Sequence, residues 1–161
     1  MTNGSAAPAR SAASAPTEFL IFEAASRSYA VRIAEVREIR GWTPVTPLPR
    51  AEDCVLGVVN LRGTVLPVID LARRLGHDAT PSDPRNVVVV LQFEDALVGI
   101  LVAAVSDIHL DTDDAVVPPP VMETDPQTPT VSGLLIDDDA MIQVLNVDAL
   151  VRPVLGRGPH R

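Results

Sequence analysis

Short apolar runs, each closed by turn residues, follow one another along most of the chain. Residues 57–61 form one such run, Arg62-Gly63 supply the turn, and residues 64–69 resume the apolar pattern. Asp70 then precedes a short stretch that ends at Gly76, as expected for a capped helical turn. Strand-length runs at close spacing with turn signals between them predict a β-barrel or sandwich, not parallel βαβ units.

The pattern occurs twice. Residues 19–39 align without a gap with residues 88–108, and the stretch from Gly57 aligns with the stretch from Gly133. Chance similarity between strands rich in Val, Ile and Leu is the alternative to duplication, but both alignments fall in the same order. Matched positions, 69 or 76 residues apart, include Val36 with Val105 and Gly57 with Gly133.

These observations predict two small related barrels that share an apolar seam, with halves at about 19–75 and 88–151. Together they form one domain spanning residues 18–152. Residues 1–17, rich in Ala, Pro and Ser, are expected to be a disordered arm, and residues 153–161 a flexible tail.

Composition narrows the function classes. The 161-residue chain is 47% hydrophobic but only 3% aromatic, and its net charge is −8, which argues against a nucleic-acid or anionic membrane partner. The single Cys54 fits a reducing compartment and is expected to be a small buried hydrophobe. With neither a signal peptide nor a run long enough to span a bilayer, the expected location is the cytoplasm.

No catalytic or metal-binding pattern emerges. The histidines at 77, 109 and 160 lack the spacing of a zinc site, and no nucleophile has a positioned base. Asp137-Asp138-Asp139 falls at a predicted hairpin tip and is expected to be solvated. The sequence therefore predicts a protein without enzymatic activity, metal or cofactor.

Arg62 is the one charged residue with two open interpretations. At a turn beside β-branched residues, it is either an ordinary exposed arginine or a positioned ionic contact. Glu38 is a natural partner for it, although sequence spacing alone does not bring the two together.

Six motifs resemble the CheW family of chemotaxis coupling proteins, and the resemblance runs from about Glu18 to Val151. They are Phe19-Leu-Ile-Phe22, Val36-Arg-Glu-Ile-Arg-Gly41, Gly57-Val-Val-Asn-Leu-Arg-Gly63, Pro67-Val-Ile-Asp-Leu71, Val98-Gly-Ile100 and Val105-Ser-Asp-Ile108. The resemblance implies a mostly β, CheW-like fold of two SH3-like five-stranded β-barrels around a shared hydrophobic core, with short helical turns.

It also implies an adaptor that couples chemoreceptors to the histidine kinase CheA within a signalling array. The cytoplasmic tip of the receptor, a helical hairpin, is expected to dock in a groove between the barrels. The kinase contributes its regulatory domain. Carried over by motif, the receptor-binding residues are Ile33, Val36, Glu38, Gly57, Arg62, Gly99, Val105 and Ile108, and the kinase-binding residues are Val117, Val121 and Met122.

Other functions stay open at this point. The chain also fits a coupling protein of a pilus-motility or other non-flagellar chemosensory pathway, because partner choice lies in variable surface residues. A stand-alone β-barrel module that binds a ligand or nucleic acid is a less favoured alternative, since its stacking aromatics would be scarce.

Overall fold

The computed structural model describes residues 16–112, 115–118 and 130–155. Val121 and Met122, and most of the predicted arm and tail, lie outside these ranges. The strands are β1 Pro16–Ala24, β2 Arg27–Arg32, β3 Val36–Gly41, β4 Val55–Leu61, β5 Thr64–Asp70, β6 Val87–Phe93, β7 Ala96–Val102, β8 Ala104–Thr112, β9 Val116–Val117, β10 Val131–Asp137 and β11 Ala140–Leu145. A 3-10 turn spans Ile33–Glu35, and the α-helices are α1 Leu71–Arg74 and α2 Val147–Leu155.

Two of the predicted boundaries are wrong. Pro16 and Thr17, assigned to the arm, belong to β1 and pair with Thr112 and Asp111 of β8. Residues 153–155, assigned to the tail, form the last turn of α2. In both cases pairing or packing with a distant part of the chain orders residues whose local composition predicts a loose terminus.

The predicted mostly β fold is confirmed, with two sheets built from strands of both halves. One sheet has the order β3-β6-β7-β5-β4 and the other β8-β1-β2-β11-β10-β9. The expectation that each half forms its own barrel is therefore corrected, because the β1–β2 hairpin joins the second half and the β6–β7 hairpin joins the first. The second sheet has six strands instead of five, since the short β9 extends it beyond β10.

Residues related by the sequence repeat form equivalent strand pairs in the two sheets. Ile39 pairs with Val89 in one sheet, and the equivalent pair in the other is Ile108 with Leu20. Both β3 and β8 carry a bulge at the same repeat position, one between Val36 and Glu38 and the other opposite the Ile21–Phe22 step. The same relation holds for Gly57 with Val68 and Gly133 with Val144.

Continuous apolar strands arise because both faces of the central strands are buried. On β1, Leu20 and Phe22 face a core between the sheets, whereas Phe19 and Ile21 face the interior of their own sheet. We call the cluster between the sheets the shared core; its fully buried members are Leu20, Phe22, Ala24, Val31, Ile69, Leu71, Val89, Leu91, Val98, Ile100, Val102, Leu145, Leu150 and Val151. A period-two pattern is lost when neither face meets water.

The two helices occupy equivalent places after β5 and β11, and each is capped by a polar residue. The buried Asp70 accepts from the amide of Ala72 at 3.1 Å and from the amide and hydroxyl of Thr80 at 2.9 and 2.6 Å. Asn146 accepts from the amide of Ala149 at 3.2 Å. Asp70 thus confirms the predicted cap and also fastens the linker between the halves to the core.

Among the residues that the structure describes, no helix combines the length and apolar character needed to cross a membrane. The same residues contain no group of three or more His, Cys, Asp or Glu that could hold a metal ion.

Candidate functional site

The tip of the β4–β5 hairpin places Arg62 in an uncommon backbone conformation. Its φ is +52° and that of Gly63 is +88°, as in the tight turns that suit right-handed strand twist. The Asn60 side chain accepts from the amide of Gly63 at 2.8 Å and closes the turn. Asn or Gly is the residue such a turn favours at the position of Arg62, so turn geometry does not explain an arginine there.

Glu38 of β3 binds this arginine. The distance from Arg62 Nη2 to Glu38 Oε1 is 2.6 Å, and Arg40 Nη1 lies 2.9 Å from Glu38 Oε2. Because β3 and β4 are the opposite ends of the five-stranded sheet, the contact bridges its two edges. The interpretation of Arg62 as a positioned ionic contact is therefore the one that the geometry favours.

Exposure differs sharply across this pair. The Arg62 side chain is 70% exposed and that of Glu38 only 27%. Hydrogen bonds from Arg40, followed by those from Arg62, hold the pKa of the Glu38 carboxyl below its ordinary value. Glu38 is thus a charged acceptor held by two arginines, and most of the five donors of the Arg62 guanidinium face solvent.

The repeat does not duplicate this chemistry. Glu38, Arg40 and Arg62 correspond to Asp107, His109 and Asp138 in the other sheet. Asp107 accepts from the neighbouring amide of Ile108 at 2.7 Å, whereas His109 lies 3.2 Å from Asp111 and 3.8 Å from Asp137. The backbone provides two equivalent positions, and an exposed arginine held by a carboxylate occupies only one.

Three of the predicted apolar residues contact the shared core from its edge, which we call the rim. Ile33, Val36 and Val105 are all partly buried against it. Ile108 is 54% exposed on β8, and its repeat partner Ile39 is 45% exposed on β3. Ile39 was missed by motif transfer, but the 69-residue offset that relates it to Ile108 is visible in the sequence.

The bulges set which face each residue occupies. Ile39 pairs with Val89 and Ile108 with Leu20, both members of the shared core, so these isoleucines extend the apolar face of that core outward. Glu38 pairs with Val90, which faces the opposite side of the sheet. β3 therefore carries the ion pair on one face and the apolar rim on the other, and an element packed along its edge meets both.

Gly57 and Gly99, carried over as receptor-binding residues, are both buried against this chain's own atoms. A Cβ at Gly57, where φ is +147°, would lie 2.3 Å from the carbonyl oxygen of Thr46, and one at Gly99 would lie 2.7 Å from Val88 Cγ1. The absence of a side chain at these glycines lets Thr46 and Val88 pack closely against them. The two glycines therefore lie behind the site and do not line it.

Val117 is the one predicted kinase contact among the described residues, and it belongs to an exposed apolar strip. It pairs with Leu134, and Ile136, two residues along the same face of β10, pairs with Met141. Val117, Ile136 and Met141 are 38%, 53% and 59% exposed. We call these three residues the apolar strip. The family resemblance did not identify Ile136 and Met141, but the sequence marks them as apolar residues on either side of the acidic hairpin tip.

Comparisons with known proteins agree on one family. The model of the CheW-like domain matches residues 18–154. A probable chemotaxis protein CheW of Rhizobium etli is 44% identical over 135 residues, covering 83% of this chain and 86% of that protein. The chemotaxis protein CheW of Rhizobium meliloti is 41% identical over 133 residues, with coverage of 83% and 86%.

A solved structure matches the fold as well. The scaffolding protein TtCheW from Thermoanaerobacter tengcongensis superposes with a TM-score of 0.75 at 26% identity. The match covers 82% of this chain and 90% of that one.

Proposed function

The chain belongs to the CheW family of chemotaxis coupling proteins, and on this premise we propose that it joins the cytoplasmic tip of chemoreceptors to the regulatory domain of the kinase CheA. The family consists of non-catalytic adaptors that couple receptors and kinase. Its members act by binding, so this protein's function rests on its surfaces. The proposed location is the cytoplasmic face of a receptor array, where both partners meet.

The observation that carries the receptor side of the proposal is the exposed Arg62 held by the half-buried Glu38. Anchoring one edge of the guanidinium restricts the side chain and leaves the other donors pointing outward, so less conformational entropy is lost on binding. A planar fork held in this way suits a carboxylate or a helix C-terminal carbonyl on the partner.

Apolar residues supply the rest of the proposed receptor surface. A helical hairpin offers an apolar stripe, and the rim of the shared core offers a matching edge. Here the contact residues are proposed to be Ile33, Val36, Ile39, Val105 and Ile108, with Glu38 and Arg62 at one side. Gly57 and Gly99 are retained only as packing residues behind this surface.

The proposed kinase surface lies elsewhere, on the apolar strip and the segment that follows Val117. Exposed apolar side chains at the centre of an interface contribute most when a polar rim surrounds them. Asp137, Asp138 and Asp139 form such a rim at the β10–β11 tip, and all three are exposed. A partner surface with an apolar centre and basic margin would complement it.

Met122→Glu tests the kinase side directly. We expect it to weaken binding to the isolated regulatory domain by about 1–3 kcal/mol, because the glutamate would place a charge where an apolar anchor side chain is buried in the interface. Titration calorimetry provides the measurement, and Met141→Glu, which lies on the apolar strip, is the second variant. Receptor binding should not change, and unchanged kinase affinity in both variants would move this interface to another surface.

The adaptor function itself is tested by co-sedimentation. Purified receptor fragment and CheA are expected to sediment together only when this protein is present. Arg62→Ala should reduce its recovery with the receptor fragment, whereas Arg50→Ala, at another exposed arginine of positive φ, should not. If the wild-type protein fails to bring receptor and kinase into one pellet, the proposed function is wrong.

A further inference from the structure

The second helix, α2, contains a proline at a position where a helix normally needs a donor. Pro153 is the seventh residue of the helix Val147–Leu155. Proline has no N–H, so the carbonyl four residues earlier, that of Ala149, loses its helical hydrogen bond. A carbonyl left without a partner in a partly buried place is costly.

A side chain from the other half of the chain supplies the missing donor. Arg74 Nη2 donates to the carbonyl of Ala149 at 2.9 Å, and Arg74 Nε donates to the carbonyl of Leu150 at 2.8 Å. Arg74 is the last residue of α1, which is the repeat counterpart of α2. Two parallel donors of one guanidinium therefore span two successive carbonyls of the helix that the proline interrupts.

The helix held in this way completes the shared core. Leu150 and Val151 are fully buried in it, and Val154, one residue after the proline, packs against it. On the solvent side, Arg152 pairs with Asp148 and Glu94 at 2.6 and 2.9 Å and lies 5.0 Å from the centre of the Phe93 ring. These outer contacts are exposed, so the partly buried bonds of Arg74 are the ones expected to control the helix position.

We propose that Arg74 replaces the hydrogen bond that Pro153 removes and is thereby the positioning residue that seats α2 on the shared core. The neighbouring Arg73 has no such role. It is half-exposed and lies 3.6 Å from the exposed Asp53. Lysine at position 74 cannot span both carbonyls, because its ammonium is a single point donor without a fork.

The test is a double-mutant cycle between the arginine and the proline, read by amide hydrogen exchange in α2. Pro153→Ala restores an N–H that can reach the carbonyl of Ala149. With Pro153 in place, Arg74→Ala should raise exchange of the protected Leu150 amide by about 100-fold, the loss expected for charged hydrogen bonds. In the Pro153→Ala background, the same substitution should raise it by about tenfold or less.

Control variants separate this role from general packing. Arg73→Ala should leave exchange within about twofold, since exposed ion pairs contribute little, and Arg74→Lys should recover only part of the protection. If Arg74→Ala does not fold, rescue of folding by Pro153→Ala supports the proposal and absence of rescue overturns it. Equal exchange increases in both backgrounds, or no increase with Pro153 in place, would likewise overturn it.

Discussion

Arg62 occupies a left-handed backbone conformation that glycine or asparagine adopts at lower cost. Its side chain donates a hydrogen bond to one carboxylate, that of Glu38. The cost is of the order of 1 kcal/mol, so a structural role in the turn would favour a different residue. What an arginine adds here is an outward-facing fork anchored by Glu38. The exposed donors of Arg62 are therefore available to a partner outside the chain.

Glu38 provides a pH test of this anchor. Its folded pKa is depressed, chiefly by the hydrogen bond from Arg40 and then by that from Arg62. The contribution of the pair to stability is thus present above the unfolded pKa of glutamate, about 4.3, and is lost as the pH falls through the lower folded value. Carbon-detected NMR of the carboxyl should show titration below the usual range.

Variants sharpen the same measurement. Arg40→Ala and Arg62→Ala should each raise the Glu38 pKa, because each arginine donates a hydrogen bond to that carboxyl and places a positive charge beside it. A Glu38 carboxyl that titrates at its ordinary value in the wild-type protein would show that neither arginine engages it in solution.

Sequence reasoning reached Arg62 and Glu38 separately, but it could not join them. The motif identified each residue and left the arginine with two interpretations. Their contact requires the two edges of the sheet to meet, and β6 and β7, from the second half of the chain, lie between those edges in the sheet. Arg40 was missed as the second cation on Glu38 because nothing local marks it as different from other strand arginines.

At the scale of the element, bulges decide which face of an edge strand carries which chemistry. Simple alternation would place Val36 and Glu38 on one face of β3. The bulge between them inverts this relation, so Val36 turns to the shared core and Glu38 away from it. Hairpins and helix caps could be predicted from turn and capping residues, whereas the bulges have no local signal in this sequence.

Glycine substitutions test how closely neighbouring segments pack on β4 and β10. Gly57→Ala should destabilise the protein by about 3 kcal/mol, because its φ is +147° and a Cβ would meet the Thr46 carbonyl oxygen at 2.3 Å. Its repeat partner Gly133 has no positive φ but would meet Val117 O at 2.8 Å, so Gly133→Ala should cost about 2 kcal/mol. Urea unfolding gives both values.

Gly41→Ala serves as the matched control. A Cβ there meets nothing within 4 Å, and the free energy of unfolding should change by less than about 0.5 kcal/mol. Gly57→Ala as mild as this control would mean that the segment at Thr46 does not pack on β4 in solution.

At the scale of the whole molecule, each sheet is completed by a hairpin from the other half. The sequence repeat correctly predicted which residues of the two halves are equivalent in strand register. It could not show that the halves exchange hairpins. Local sequence similarity is the same whether β1 and β2 join their own half or the other one. Because of the exchange, both sheets and the shared core contain residues from the two halves.

Cutting the chain in the linker tests that exchange. Fragments 1–82 and 83–161 should each remain largely unfolded, since neither can complete a sheet alone, and mixing them should restore β-structure. Circular dichroism of the separate and mixed fragments measures this. Two fragments that fold independently to stable β-structure would contradict the exchanged topology.

We propose that Arg62, held by Glu38, carries the coupling between receptor and kinase. The most direct measurement is kinase activation in a reconstituted receptor–kinase assembly, with Arg50→Ala as the control for an exposed arginine of positive φ. Arg62→Ala should keep the fold and reduce activation about tenfold, the loss expected for a charged hydrogen bond, and Arg62→Lys should restore only part of it. Glu38→Ala should give a related defect, and the double variant should be less than additive. Near-normal activation by a folded Arg62→Ala protein would show that Arg62 is an ordinary exposed arginine without a coupling role.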